Sequence, residues 1–308
     1  MSVADRGAVP VVTVDATPQG RTSAALGFAV AGAVAGVLLA VAWSFTFVDS
    51  VIGDNIANSL LGHDAKATAI GGSVAGLAFA FVSGLAGTFT ACNVAAFGMV
   101  PQVTRETTRS GLRGLLAPLG WLTAGSMAVA LTYGAVGVLL GDRLPQLSTA
   151  TTAGGVPVRL VQASVVFGLA GLALLYLGLA ALKLVPDPFA GRPRARLVAL
   201  GVIIGAFLIG RPFPLFHKLF LYAVADKNPA YGAAVFGLQT LGNMLVMVLV
   251  VVIASRLTGG RLLTAPSRRG TVLSGVALVL VGVFLIVYWD VRVPALFGVG
   301  WFPTAPWN

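Results

Sequence analysis

Seven apolar runs, over residues 23–48, 69–101, 114–141, 157–185, 197–224, 230–255 and 271–289, decide what this chain can become. Each reaches the roughly 18–20 residues that a helix needs to cross a ~30 Å hydrocarbon core. In lipid only helices and closed barrels satisfy every backbone hydrogen bond, and these runs lack the alternation of barrel strands. The expected fold class is an all-α polytopic membrane protein with seven transmembrane helices. Composition agrees: mean hydropathy is +0.92 and only 10% of residues are charged, against about a quarter in soluble domains.

The net charge of +10 raises the question of nucleic acid, and the positions of the charges answer it. Arg6, Arg21, Arg105, Arg109, Arg113, Lys183, Arg192, Arg194, Arg196, Arg256, Arg261, Arg268 and Arg269 fall on one side of the predicted spans. Lys66, Arg143, Arg159, Lys227 and Arg292 fall on the other. Basic loops stay in the cytoplasm. The expected partner is therefore the lipid bilayer, with no nucleic acid. The expected location is a bacterial cytoplasmic (inner) membrane, with the N-terminus cytoplasmic and the C-terminus external.

The expected organisation is a flexible cytoplasmic tail (1–22), an N-terminal transmembrane anchor (23–48), a six-helix membrane domain (69–289) and an external C-terminal tail (290–308). Trp301 and Trp307 in that tail suit interfacial anchoring. Pairs such as Gly32/Gly36 and Gly201/Gly205 have the GxxxG spacing that lets helices approach closely in lipid. Residues 49–68 hold Asp49, Asp54, His63 and Asp64, but with no further His or Cys nearby they read as a solvated loop, and no metal site is assigned. Glycine-rich phosphate loops, HExxH and GxSxG are missing from the sequence, which removes the commonest soluble-enzyme signatures.

Two of the runs share a design. GLAGTFTACNVAAFGMVP in the second holds Cys92, with Pro101 near its cytoplasmic end; FLIGRPFPLF in the fifth holds Pro212 and Pro214 near mid-span. Setting Thr90-Ala91-Cys92 against Arg211-Pro212-Phe213 gives an offset of 121 that also pairs Gly84 with Gly205. Two sets of three helices must face opposite ways, so the six-helix domain reads as a 3+3 inverted repeat with broken helices near the midplane. Pro101, Pro212 and Pro214 are the expected hinges.

With GLAGTFTACNVAAFGMVP, FLIGRPFPLF and NPAYGAAVFGLQTLGNMLVMVLV, the stretch 69–289 resembles the CcdA/DsbD transmembrane thiol-redox family of cytochrome c biogenesis. The resemblance implies two inverted three-helix repeats, each with a cysteine beside proline in its first helix, that pass electrons through a disulfide. Cys92 stands at the first cysteine position; Phe213 stands at the second, and Ala91 replaces the expected proline. A disulfide needs two sulfurs about 2 Å apart, and this chain has one cysteine. A relay would therefore need a mixed disulfide between Cys92 and a thiol-redox partner.

Arg211 lies mid-span, where a cation costs at least ~2.5 kcal/mol and faces protein or water. No Asp or Glu lies inside the predicted spans. Its expected partners are carbonyls at a broken helix, the hydroxyls of Thr88 or Thr90, water or a bound anion. Thr90, Asn93, Arg211 and His217 are the candidate substrate-binding residues, and Cys92 the candidate catalytic one. His217 could relay protons or ligate haem, yet a second axial ligand is wanting, because His63 is in the external loop; the cofactor stays open between haem, a quinone and none. Three functions remain: a transmembrane redox conduit acting through Cys92, a permease for a small anionic or thiol-bearing solute, and a membrane subunit or assembly factor of a larger complex.

Overall fold

The computed structural model describes residues 18–89, 112–257, 268–303 and 305–307. Among the described residues the chain is all-helical, with a single isolated bridge between Thr151 and Pro157. The helices are α1 (Pro18–Ala42), α2 (Asp54–Leu61), α3 (Ser73–Ala86), α4 (Leu112–Leu140), α5 (Val158–Ala181), α6 (Pro193–Ala206), α7 (Pro214–Ala225), α8 (Pro229–Leu257) and α9 (Arg268–Ile286). A π-helical turn over Thr46–Gly53 precedes α2, a 3-10 turn over Gly87–Phe89 follows α3, and a second π-helical turn over Val287–Arg292 follows α9.

Among the described residues, five helical stretches are long and apolar enough to cross a bilayer: Thr22–Ala42, Ala117–Arg143, Val158–Ala181, Pro229–Val250 and Gly270–Ala295. The predicted single span over 197–224 is instead two short helices, α6 and α7, separated by residues 207–213. Proline chemistry explains the break. Pro212 and Pro214 lack the N–H that would continue the ladder, and their rings clash with the preceding turn. Pro214 then takes the first position of α7, where a missing N–H is harmless. The predicted span over 69–101 is described only as far as residue 89.

Helices pack in the pairs α3–α8, α4–α6, α4–α8, α5–α9 and α1–α9. Glycine sets the approach. A Cβ on Gly36 would stand 2.5 Å from the Leu280 carbonyl, so α1 and α9 meet backbone to backbone. With little hydrophobic drive between helices in lipid, such close van der Waals contact is what holds them. Arg292, almost fully buried, closes the same joint. Its guanidinium donates to the carbonyls of Ala40 (2.5 Å) and Trp43 (2.6 Å) at the C-terminal end of α1, where the helix dipole favours a cation. Trp307 Nε1 donates to the Ala42 carbonyl at 2.9 Å and brings the C-terminal tail to that end.

The segment expected as a solvated loop is folded inward. Val48, Ile52 and Ile56 recur every four residues, which on a helical backbone makes one apolar face. Ala57 and Ala65 are fully buried in a core shared with Phe79, Phe213 and Phe216. His63 and Asp64 stay at the surface, and Asp64 accepts the backbone N–H groups of Lys66 and Ala67. Asp49 does not stay there.

Candidate functional site

The break between α6 and α7 is held from four directions. Loss of the helical ladder frees carbonyls that lipid cannot satisfy. Gln162 on α5 donates from Nε2 to the Ile209 carbonyl at 2.5 Å, and Gln146, from the 3-10 turn Pro145–Leu147, donates to the Arg211 carbonyl at 2.6 Å. Gln146 is 1% exposed. Both glutamines are neutral, so they cap the break without adding a charge that would need its own partner.

Arg211 is 1% exposed. Its Nη2 donates to the Gly87 carbonyl at 2.6 Å, from the α6–α7 break across to the turn that follows α3. Its guanidinium carbon also lies 5.7 Å from the centre of the Phe213 ring, a cation–π distance. Glycine at residue 87 permits this approach: a Cβ there would stand 2.1 Å from Arg211 Nη2, so the guanidinium would have to shift. Thr88 is turned elsewhere. Its hydroxyl lies 3.0 Å from the Gly84 carbonyl and 3.3 Å from Asn243 Oδ1.

A carboxyl that feels the Arg211 charge comes from outside the predicted spans. Asp49, on the π-helical turn after α1, is 6% exposed and its carboxyl accepts no hydrogen bond from the described residues. That turn packs on the 3-10 turn bearing Gly87. Gly53 brings it against the break: a Cβ placed on this glycine would stand 3.3 Å from the Phe213 ring and 3.5 Å from the Ala86 carbonyl. Burial pushes the Asp49 carboxyl up to about 7, Arg211 pulls it down, Asp54 pushes it up and Lys66 pulls it down. Desolvation therefore outweighs the attraction to Arg211. Asp54 is itself paired with Lys66 at 2.5 Å.

The other predicted residues divide. Pro212 and Pro214 are at the break with Arg211. His217 lies one turn into α7, half-buried, and donates its backbone N–H to the Phe213 carbonyl at 3.0 Å; its charged neighbour is Arg159 on α5. Lys218 reaches outward to the carbonyls of Ala65 (2.7 Å) and Lys66 (3.1 Å) and fastens the 49–68 connection to α7. Cys92, Thr90, Asn93 and Pro101 lie outside the described residues. Sequence reasoning missed Asp49, Gly87, Gln146 and Gln162. The spacing of Val48, Ile52 and Ile56 was the available signal for Asp49, since it turns the connection inward.

A buried cation, a buried carboxyl and a broken helix thus meet where three irregular turns converge. Such a site can exchange protein carbonyls for a bound anion at the guanidinium, and a proton at the carboxyl. Comparison of the chain with models of known protein families, with curated proteins and with solved structures finds no match.

Proposed function

We propose that this chain is a permease for a small anionic solute, built as an inverted repeat, with Arg211 as the binding charge and the α6–α7 break as the moving part. The observation that carries the reading is Arg211 itself, buried at a helix break and hydrogen-bonded across an interface to Gly87. Buried intramembrane cations at discontinuous helices mark substrate pathways.

The pattern of glycine contacts supports the repeat. A Cβ on Gly84 would meet the Gln239 carbonyl at 2.1 Å, and one on Gly201 would meet the Leu122 carbonyl at 2.0 Å. Gly242 faces the Phe81 carbonyl and the Leu85 N–H, while Gly125 faces the Val198 carbonyl and the Val202 N–H. All these counterparts share one offset of 117 residues (84 to 201, 122 to 239, 125 to 242, 81 to 198, 85 to 202). In the α5–α9 pair, Gly178 faces the Val279 N–H and Gly282 faces the Leu175 N–H, with an offset of 104 (178 to 282, 175 to 279). Contacts that exchange under one relabelling are what a two-fold axis between α3–α4–α5 and α6–α8–α9 would produce. This register is one helical turn shorter than the 121 read from the sequence, and it sets Cys92 against Ile209 instead of Phe213.

With a repeat of this kind, the seven-span arrangement follows if the α3 run and the α6–α7 pair each complete a crossing beside the five long helices. The basic-loop asymmetry then supports a cytoplasmic N-terminus and an inner-membrane location. Redox conduction rests on the likeness to the CcdA/DsbD family and on Cys92, outside the described residues, so the geometry favours the permease. The test is binding. In lipid nanodiscs, formate, nitrate, phosphate and glutathione are screened by thermal shift. At least one stabilises the wild-type protein and not Arg211→Gln; stabilisation of neither, or of both alike, removes Arg211 from the role.

A further inference from the structure

Asp49 is 6% exposed as a residue and lies on a π-helical turn packed against the turn that bears Gly87. No hydrogen bond from the described residues reaches its carboxyl. Among the described residues, these are the charged groups that act on it. From the α6–α7 break there is Arg211; from α2, Asp54; from the connection after α2, Lys66. The α3 helix and its 3-10 turn contribute no titratable side chain. Asp54 and Lys66 are paired with each other at 2.5 Å, so their fields at Asp49 oppose. Arg211 is the larger of the two influences that favour the ionised carboxylate, against the burial that disfavours it.

An anion at Arg211 would compete for that one charge. We propose that Asp49 and Arg211 form a single site in which an anion on the guanidinium is accompanied by a proton on the Asp49 carboxyl, so that the permease carries anion and proton together. The proposal rests on the permease reading and deepens it. Its charges balance. The empty site holds Arg⁺ and Asp⁻; the loaded site holds Arg⁺, the anion and neutral carboxylic acid, with the proton drawn from solvent. Both states are neutral overall, so the loaded site can move through a low-dielectric interior without an added desolvation penalty for net charge. The position of Asp49 on a π-helical turn packed against the Gly87 turn gives the carboxyl a route to respond when the break moves, since π-helical turns are often placed at functional sites.

The experiment has two readouts on the full-length protein in nanodiscs. First, the infrared carboxyl band is followed through a pH titration of wild type, Asp49→Asn, Arg211→Gln and Arg211→Lys. The wild type shows a band titrating near neutrality that Asp49→Asn lacks; Arg211→Gln raises its midpoint by about 1 pH unit or more, and Arg211→Lys, which keeps the charge, moves it less. A band unaffected by Asp49→Asn, or a midpoint indifferent to charge at residue 211, overturns the paired site. Second, proton uptake is measured in weakly buffered solution at pH 8 on adding sodium formate or sodium nitrate, neither of which titrates near neutrality. About one proton taken up per anion bound, lost in Asp49→Asn, supports the coupling, the size of the shift following from loss of one opposite charge. Binding without proton uptake overturns the coupling and leaves the permease standing. If neither anion binds although Asp49 titrates as expected, the coupling proposed for such anions is overturned, and the permease reading fails only if phosphate and glutathione also leave the wild-type protein unstabilised.

Discussion

Arg211 and Gly87 fit each other atom to atom: the guanidinium donates to the Gly87 carbonyl at 2.6 Å, and a methyl group on residue 87 would stand 2.1 Å from the same nitrogen. Gly87→Ala must therefore displace the guanidinium or the turn. Overpacking of this kind typically costs about 1–3 kcal/mol, and here it also loosens the bond that satisfies a buried charge. A lower melting temperature in detergent, together with weaker anion binding, is expected; a variant as stable as wild type would show that the contact is slack.

The two glutamines at the break predict a matched pair of effects. Gln146→Leu strips the buried Arg211 carbonyl of its donor, and Gln162→Leu strips the partly buried Ile209 carbonyl. Leaving such a group unsatisfied costs about 1–3 kcal/mol. Both variants should melt earlier than wild type. Replacement by Glu should be worse than by Leu at Gln146, which is fully buried, because a carboxylate there would oppose a carbonyl and need a counter-charge of its own.

Asp49 gives the stability a pH dependence whose sign is fixed by the direction of its shift. Burial raises the carboxyl from the ordinary 3.8 to about 7. Between those values the folded protein holds a proton that the unfolded chain releases, so stability falls as pH rises through that window and levels off above it. Asp49→Asn has no such proton. Its melting temperature should match wild type near pH 4 and exceed it at pH 8, as a melting series across that range would record. A variant less stable than wild type at pH 8 would mean that the ionised carboxylate contributes more through Arg211 than its burial costs.

The proposed inverted repeat predicts equal penalties at counterpart glycines. Gly84→Ala and Gly201→Ala both force a Cβ onto a facing carbonyl, at 2.1 and 2.0 Å. Each should destabilise by a similar amount in a thermal assay. Gly205→Ala, whose nearest facing atoms lie at 2.8 Å, should cost less. Were Gly205 the more sensitive position, the 121-residue register would be favoured over 117.

How much of this was legible depends on whether the signal was local. The apolar runs and the proline-induced break at 207–213 follow from composition and from the chemistry of Pro212 and Pro214, and both are read along the chain. That Arg211 would need oxygen partners at the break also follows from the cost of a cation in lipid. Which oxygen it takes does not: Gly87 lies 124 residues away, and nothing in a glycine announces the carbonyl beside it. Gln146 and Gln162 carry no charge and sit in unremarkable contexts, so their capping roles emerge only from the packing of α5 and the 145–147 turn on the break. Asp49 was misplaced because acidic residues in a short connection read as solvated, and the apolar spacing beside it is a weaker signal than the charge. The proposed register differs by one turn from the one read in the sequence, because glycine recurs every four residues at Gly201 and Gly205 and makes neighbouring turns look alike.

The most direct test of the central claim is counterflow in proteoliposomes loaded with unlabelled formate, nitrate, phosphate or glutathione and challenged with the same solute carrying a label. The permease account predicts saturable exchange of at least one of these by the wild-type protein. It also predicts loss of that exchange in Arg211→Gln and partial retention in Arg211→Lys, with all three proteins equally folded by circular dichroism and gel filtration. Exchange in Arg211→Gln at the wild-type rate, or saturable exchange of none of the four by the wild type, would contradict it.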